Sequence, residues 1–389
     1  MPAMLNAREL DINFSGRTIF GARSIYRAGE IASGLEASRA FLVTDPGVAA
    51  NGISGLVVDA LEESGIDTTV FDAVTPNPTV SDVESGAAIL RELGDEDTVV
   101  VGVGGGSAMD AAKCIALQAT NGGSATDLDF RNEPEHDGLT VIAVPTTAGT
   151  GAETNGFGVV TDPLAGRKFY AGHDSVKPAA VILDPELTTG LPPGATAATG
   201  VDALVHALES LMSASANPYA DGLALQVIRM VHDWLPLAVS DGNDLEARSQ
   251  MLLAAHLAGL AFASGTGLGL CHAIAHPLGA RVEAVHGLAL GAVLPGVLRF
   301  NLETSEEKLA LVARALGFYE SSTSEERNAE GAIQTLESLV SEVLGEISIP
   351  LPDGLRPTLV QDALDDLVLT NTPRQPSAAE VEGLLEAIR

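Results

Sequence analysis

Five residues in the second half of this 389-residue chain have the types and spacing to hold a metal ion. Asp202 and His206 lie in GVDALVH (200–206), His272 and His276 in CHAIAHP (271–277), and His286 in VHG (285–287). Helical residues four apart share a face, with Cβ atoms about 5–6 Å from each other, close enough to grip one ion. Their neighbours Leu204, Val205, Leu208, Leu268, Leu270 and Ile274 are apolar, so the polar groups are expected to be buried and to need partners. A lone histidine on an apolar face is usually a satisfied core residue. A carboxylate with four of the chain's eight histidines is costly to bury without a shared ligand, and such clusters concentrate at functional sites. One carboxylate with imidazoles suits Fe²⁺, Zn²⁺ or Mn²⁺. Cys271, beside His272, falls on another face and reads as a small buried residue.

A second chemistry sits in the first half. Val99–Val103 runs into Gly104-Gly105-Gly106-Ser107 and then Ala108-Met109-Asp110-Ala111-Ala112-Lys113. A strand, glycines and a helix start offer backbone N–H groups and a helix N-terminus to a pyrophosphate. Ser107 with Asp110 predicts a capping box opening that helix. The run is neither GxGxxG nor a P-loop, and a tight turn chosen for packing is the competing reading. Asp45, closing Leu42-Val43-Thr44-Asp45, can accept from a ribose and repel a 2′-phosphate, favouring NAD over NADP; it can equally cap a helix. The loops Thr75-Pro76-Asn77-Pro78-Thr79 and Pro145-Thr146-Thr147-Ala148-Gly149-Thr150-Gly151 follow predicted strands on the same edge as the glycines. Lys168 is one of only four lysines; it reaches a phosphate or ribose, or else forms a surface ion pair.

These groups need a scaffold. Ala40–Thr44, Thr68–Phe71, Thr98–Val103, Thr140–Val144 and Ala180–Leu183 read as strands apolar on both faces, as buried parallel strands are. Helical patterns near Gly55–Ser64, Ser81–Leu93 and Ser107–Ala119 separate the first four. That rhythm predicts a doubly wound, Rossmann-like α/β sheet binding its ligand beyond the strands' carboxyl ends. After Asp184-Pro185, Leu191-Pro192-Pro193-Gly194 marks a hinge, and Ala/Leu-rich helical spacing takes over, broken at Asn217-Pro218, Asp241-Gly242, Pro295 and Pro350–Pro357. The expected organisation is an α/β domain over 1–188 and an all-α domain over 189–389. No internal repeat is evident, and low complexity is confined to acidic loops such as Gly94-Asp95-Glu96-Asp97.

Composition narrows the function. With 46% hydrophobic and 19% charged residues, the chain can build a large core. A formal charge of -31, from 52 acidic against 21 basic residues, argues against nucleic acid and anionic membrane as partners. Two cysteines, Cys114 and Cys271, make neither a disulfide framework nor a cysteine-rich zinc site. Met1–Leu10 has no apolar core of a secretion signal, and no run approaches 18 apolar residues. The expected location is cytoplasmic.

The matching pieces GGGSAMDAAK (104–113), PTTAGTGAE (145–153), ILDPELTTGLP (182–192), GVDALVHALES (200–210) and HAIAHPLGARVEAVHG (272–287), all in order, resemble the iron-containing (group III) alcohol dehydrogenases, in the dehydroquinate synthase-like superfamily. The resemblance implies a dinucleotide-binding domain, a helical metal domain and a cleft between them. It assigns Asp202, His206, His272 and His286 as metal ligands, with His276 near the nicotinamide and substrate as a proton relay. It assigns NAD contacts to Asp45, Asn77, Gly104, Gly105, Gly106, Ser107, Thr146, Thr147 and Lys168. The implied activity is a metal-dependent, NAD-linked alcohol dehydrogenase or aldehyde reductase, with Fe²⁺ (or Zn²⁺) and NAD as cofactors, a small alcohol or aldehyde as substrate, and a homodimer or larger homo-oligomer as the assembly. Hydride would pass between the alkoxide and the nicotinamide. The alternatives are a hydroxyacid–oxoacid transhydrogenase or a maleylacetate reductase-like enzyme, although Asp202 argues against the latter. A non-redox dehydroquinate synthase-like lyase ranks lower, because arginines are sparse near the motifs, as does an inactive nucleotide-binding protein. Ala152, where many relatives carry serine, and Asn155 depart from the family's pattern.

Overall fold

The computed structural model describes residues 12, 14, 16–94 and 97–388. Met1–Leu10, read above for a secretion signal, and Asp95 and Glu96 of the acidic loop lie outside the described residues. The chain divides into two compact units, one comprising Ser15–Gly200 with Trp234–His256, the other including Val201–Asp233 and Leu257–Arg389.

The first unit is built on a parallel six-stranded sheet. Its strands are β1 (Arg17–Phe20), β2 (Arg39–Val43), β3 (Asp67–Phe71), β4 (Thr98–Gly104), β5 (Val141–Pro145) and β8 (Ala180–Leu183), ordered β1-β8-β5-β4-β2-β3. A separate antiparallel hairpin pairs β6 (Phe157–Asp162) with β7 (Arg167–Gly172). Helices α1 (Ala28–Gly34), α2 (Pro46–Ala50), α3 (Ile53–Glu62), α4 (Val80–Leu93) and α5 (Gly106–Asn121) supply the crossovers. Alternate side chains serve opposite faces. Phe41, Val43 and Val100 pack with residues of α4 and α5, whereas Ala40, Leu42, Val99, Val101 and Val103 pack with residues of α1 and α3. This two-sided burial is why the central strands read as continuous apolar runs.

All five predicted strands form, and the doubly wound reading holds. β3 differs from expectation: as an edge strand it exposes Asp67 and Val70, so only the inner strands are apolar on both faces. β1, β6 and β7 were not anticipated. β1 has four residues, three of them exposed, and the hairpin strands carry Gly158, Asp162, Arg167 and Lys168; neither leaves a continuous apolar run.

Beyond β8, no strand occurs among the described residues. The chain continues as α6 (Pro193–Met212), α7 (Pro218–Ser240), α8 (Leu245–Ala261), α9 (Leu270–Val282), α10 (His286–Ala315), α11 (Glu325–Leu344), α12 (Arg356–Leu364) and α13 (Ala378–Ala387). The breaks at Asn217-Pro218 and Asp241-Gly242 are present. Pro295 does not break its helix: α10 runs through it. Buried Val293, Leu294, Val297 and Leu298 flank the proline on both sides, and packing of that kind overrides an unfavourable local propensity. Among the described residues, no single helix is long and apolar enough to cross a membrane.

Phe41, on β2 beside the edge strand, is fully buried and stacks on Phe71 of β3 at 6.2 Å. Phe41→Ala should cost the first unit about 3–5 kcal/mol, read as a lower denaturant midpoint through Trp234, the chain's single tryptophan, which belongs to this unit. An unchanged midpoint would contradict the core described here.

Candidate functional site

In the helical unit, one carboxylate oxygen gathers three imidazoles. Asp202 Oδ1 lies 3.3 Å from His206 Nε2, 3.6 Å from His272 Nε2 and 3.7 Å from His286 Nε2. Ligand atoms of Asp202, His206 and His272 all fall within 4.8 Å of one another, and all three residues are buried. Two helices and one turn produce this arrangement. α6 presents Asp202 and His206 one turn apart, and α9 brings His272 across so that its ring stacks on His206 with centroids 4.8 Å apart. Glu283, in the left-handed region, ends α9; the chain then reverses and opens α10 with His286.

Two atoms are left wanting. Asp202 Oδ1 and His272 Nε2 are buried without a hydrogen-bond partner, a costly state for polar groups. Four ligands about 2.0–2.2 Å from one tetrahedral ion stand about 3.3–3.6 Å apart, close to the spacing around Asp202. The donor set, the orphaned atoms and the spacing fit a divalent cation held by nitrogen and oxygen ligands.

Glu209 completes the arrangement and was missed in the sequence. It lies seven residues after Asp202 and three after His206, on the same face of α6, so the helical period extended one turn further would have found it. Its Oε2 accepts from His272 Nδ1 at 2.6 Å and from the Gly269 N–H at 2.8 Å, and its Oε1 accepts from the Cys271 N–H at 2.5 Å. The carboxylate therefore caps the start of α9, where the helix dipole favours negative charge. It also fixes a His272 proton on Nδ1 and turns Nε2 toward Asp202, as an outer-sphere carboxylate does for a metal-ligating histidine.

These charges shift one another. Burial pushes the Asp202 carboxyl up, but His206, His272 and His286 outweigh it and hold the group well below the usual carboxylate range. Burial likewise works against Glu209, and His272 with the two backbone N–H groups more than compensates, lowering it. His272 is buried too, yet Glu209 and Asp202 raise it to about 9. Burial and the imidazoles of His272, His276 and His206, countered by Asp202, push His286 down; its side chain, 42% exposed, moderates the effect of burial. Cys271 stays outside the ligand set: its thiol is buried and pushed well above its ordinary value by burial and by Glu209.

His276 packs beside this set, with ring centroids 5.8 Å from both His272 and His286. Its Nδ1 is bonded to Asp366 Oδ2 at 2.7 Å. Asp366, in the C-terminal segment, carried no local signal, because its partner lies 90 residues away.

The α/β unit assembles the other group. Strand order reverses between β2 and β4, the switch point at which doubly wound sheets bind ligands. Asp45 follows β2 there and the glycines follow β4. Asp45 Oδ1 caps α2, accepting from the Gly47 and Val48 N–H groups at 2.9 and 3.0 Å. Its Oδ2 lies 3.3 Å from where a Gly104 Cβ would sit. The helix-cap reading of Asp45 is thus real, and one oxygen remains beside the glycine turn.

The capping box predicted from Ser107 and Asp110 does not form. The N-cap of helix α5 lies two residues earlier, at Gly105, which makes no side-chain bond. Ser107 Oγ instead accepts from the Asn77 N–H at 3.2 Å, and Asp110 Oδ2 accepts from the Val159 N–H at 3.0 Å. A helix whose first N–H groups lack a side-chain cap suits an anion. The glycines are also demanded by packing: a Cβ at Gly106 would sit 2.8 Å from Thr150 Cγ2, and one at Gly104, where φ is +150°, 2.6 Å from Ala108 Cβ. Thr146 donates its N–H to Gly104 O at 2.9 Å, and Thr147 Oγ1 is buried without a partner. Lys168 Nζ donates to Asn77 Oδ1 at 2.7 Å, linking two expected dinucleotide contacts, and burial lowers its pKa. Ala152 and Asn155 belong to a buried cage around Lys113, whose Nζ donates to Ala152 O at 2.7 Å, to Asn155 Oδ1 at 3.0 Å and to Phe157 O.

The raised His272 has a measurable consequence in ion-free protein. Its folded value of about 9 exceeds the unfolded value of about 6.5. The stabilisation from the imidazolium is therefore complete below pH ~6.5 and is lost as pH rises through about 9. The thermal midpoint of chelator-stripped protein should fall over that range, while ion-loaded protein should hold steady; a flat profile for the stripped form would refute the coupling to Glu209 and Asp202.

Comparison with known proteins agrees with both halves. Residues 15–185 match the family described as iron-containing alcohol dehydrogenase, and residues 196–389 match the C-terminal part of the Fe-containing alcohol dehydrogenase family. The probable alcohol dehydrogenase EutG of Salmonella typhimurium is 37% identical over 374 residues, covering 95% of this chain and 92% of that protein. The NAD-dependent methanol dehydrogenase of Bacillus methanolicus is 33% identical over 374 residues, covering 95% and 97%. The crystal structure of a 1,3-propanediol oxidoreductase superposes with a TM-score of 0.92 at 34% identity, covering 98% of this chain and all of that one. By profile, sequence and fold alike, the chain belongs to the iron-containing alcohol dehydrogenase family.

Proposed function

We propose that this protein is a metal-dependent, NAD-linked alcohol dehydrogenase acting on a small alcohol or aldehyde. Asp202, His206, His272 and His286 would hold the ion, Fe²⁺ first and Zn²⁺ as the alternative. The observation that carries this is the pair of orphaned buried atoms, Asp202 Oδ1 and His272 Nε2, amid three imidazole nitrogens 3.3–3.7 Å from one carboxylate oxygen. When bound, a divalent ion supplies Lewis acidity that lowers the pKa of an alcohol toward neutrality.

The chain's own residues do the rest. Asp202 contributes the negative charge, and Glu209 keeps the His272 Nε2 lone pair directed at the ion. His276 takes the alcohol proton, a role that suits an imidazole near neutral pH. The N–H groups opening α5 hold the pyrophosphate. Asp45 accepts from the ribose hydroxyls and repels a 2′-phosphate, which selects NAD over NADP. The other dinucleotide contacts are Asn77, Gly104, Gly105, Gly106, Ser107, Thr146, Thr147 and Lys168. In this division of labour, residues 1–188 hold the dinucleotide and residues 189–389 hold the ion and substrate. We assign a homo-oligomer, a dimer or larger, as in the family, and a cytoplasmic location, which suits two free buried cysteines.

His272→Ala should abolish bound metal and alcohol oxidation together, while NAD⁺ affinity, measured by titration, stays within about twofold of the parent. Turnover at the parent rate would overturn the site assignment. In a panel of alcohols and aldehydes tested with Fe²⁺- or Zn²⁺-reconstituted protein, kcat/KM should be higher with NAD(H) than with NADP(H), and Asp45→Gly should narrow that ratio by about tenfold or more. An unchanged ratio would remove Asp45 from the cofactor site.

A further inference from the structure

Resting on the reading of His276 as the group that takes the alcohol proton, we propose that Asp366 is the positioning residue that sets the tautomer of His276. A neutral imidazole has two tautomers, and which nitrogen carries the lone pair depends on the partner of the other. An ionised carboxylate is acceptor-only. With Asp366 Oδ2 at 2.7 Å from Nδ1, the ring proton sits on Nδ1 and the lone pair on Nε2. Proton transfer then exchanges one alcohol O–H bond for one Nε2–H bond, while Nδ1–H stays on Asp366. With the opposite tautomer, Nε2 would already carry a hydrogen and accept nothing.

The aspartate is itself held firmly. Its Oδ1 accepts from the Val368 N–H at 3.0 Å, capping the turn Leu367–Asn371. The far end of that turn is pinned by the Ala214 N–H, which donates to Asn371 O at 2.8 Å. The Asn371 amide lies against Gly267, where φ is +63° and an added Cβ would fall 2.3 Å from Asn371 Nδ2. Asp366 and His276 side chains are only 13% and 16% exposed, so water competes little for the bond. The carboxylate is thereby anchored on one oxygen and presented to His276 with the other.

Asp366→Asn separates positioning from structure. Asparagine caps as well as aspartate, so its Oδ1 can keep the Val368 bond, but its NH₂ then donates to Nδ1 and drives the hydrogen onto Nε2. In the metal-loaded enzyme, kcat should fall about 100-fold, with KM for the alcohol, metal content and NAD⁺ affinity within about twofold of the parent. Asp366→Glu should recover part of the rate. In the Zn²⁺-loaded protein, ¹⁵N-histidine spectra should show His276 Nε2 moving from the unprotonated to the protonated position. Parent kcat in Asp366→Asn, an unmoved Nε2 signal, or kcat and metal content falling together would each overturn the proposal, the last by making Asp366 merely structural. His276→Gln at parent kcat would instead sink the underlying reading of His276, whatever the Nε2 signal does in Asp366→Asn.

Discussion

A buried carboxylate with no hydrogen-bond donor for one of its oxygens is the constraint on which the helical unit turns. Desolvating an ionised group costs several kcal/mol even after relaxation, and an apolar interior offers little in return. Asp202 is 3% exposed, and its Oδ1 faces three imidazole nitrogens. Positive charge at their centre resolves the conflict, either as protons on histidine or as a divalent cation. The high pKa of His272 expresses the first solution, and the convergence of Asp202 with three Nε2 atoms is built for the second.

The outer groups follow from the same constraint. A histidine that ligates through Nε2 must have its Nδ1–H placed elsewhere, and Glu209 takes it for His272 while capping α9. His276, one turn along α9, repeats the device with a carboxylate from the distant C-terminal segment. Two histidines four residues apart on one helix are thus each held at Nδ1 by a different carboxylate.

The α/β unit obeys a different economy, in which close backbone approach matters more than charge. At the reversal of strand order, Gly104 and Gly106 leave no room for side chains against Ala108 and Thr150, and the N-terminus of α5 has no side-chain cap. Packing alone therefore demands glycine at both positions, and the same turn leaves the uncapped start of α5 beside it.

Much of this was legible in the chain. Two-sided burial made the inner strands continuous apolar runs, and helical spacing set Asp202 by His206 and His272 by His276, because local periodicities of two and 3.6 leave their mark on adjacent residues. Elements lacking such a mark went unread: the four-residue β1, the charged hairpin, and α10's passage through Pro295, which depends on packing around it. The start of α5 was misplaced for a related reason, since Ser107 and Asp110 form bonds to Asn77 and Val159 that no local pattern records. The amino-acid order by itself determined the two fold classes, the glycine turn and the residue types able to bind an ion. Only the tertiary structure decided which carboxylate serves which histidine, because His276 and Asp366 are 90 residues apart and hydrogen bonds form between neighbours in space, which a one-dimensional order does not specify.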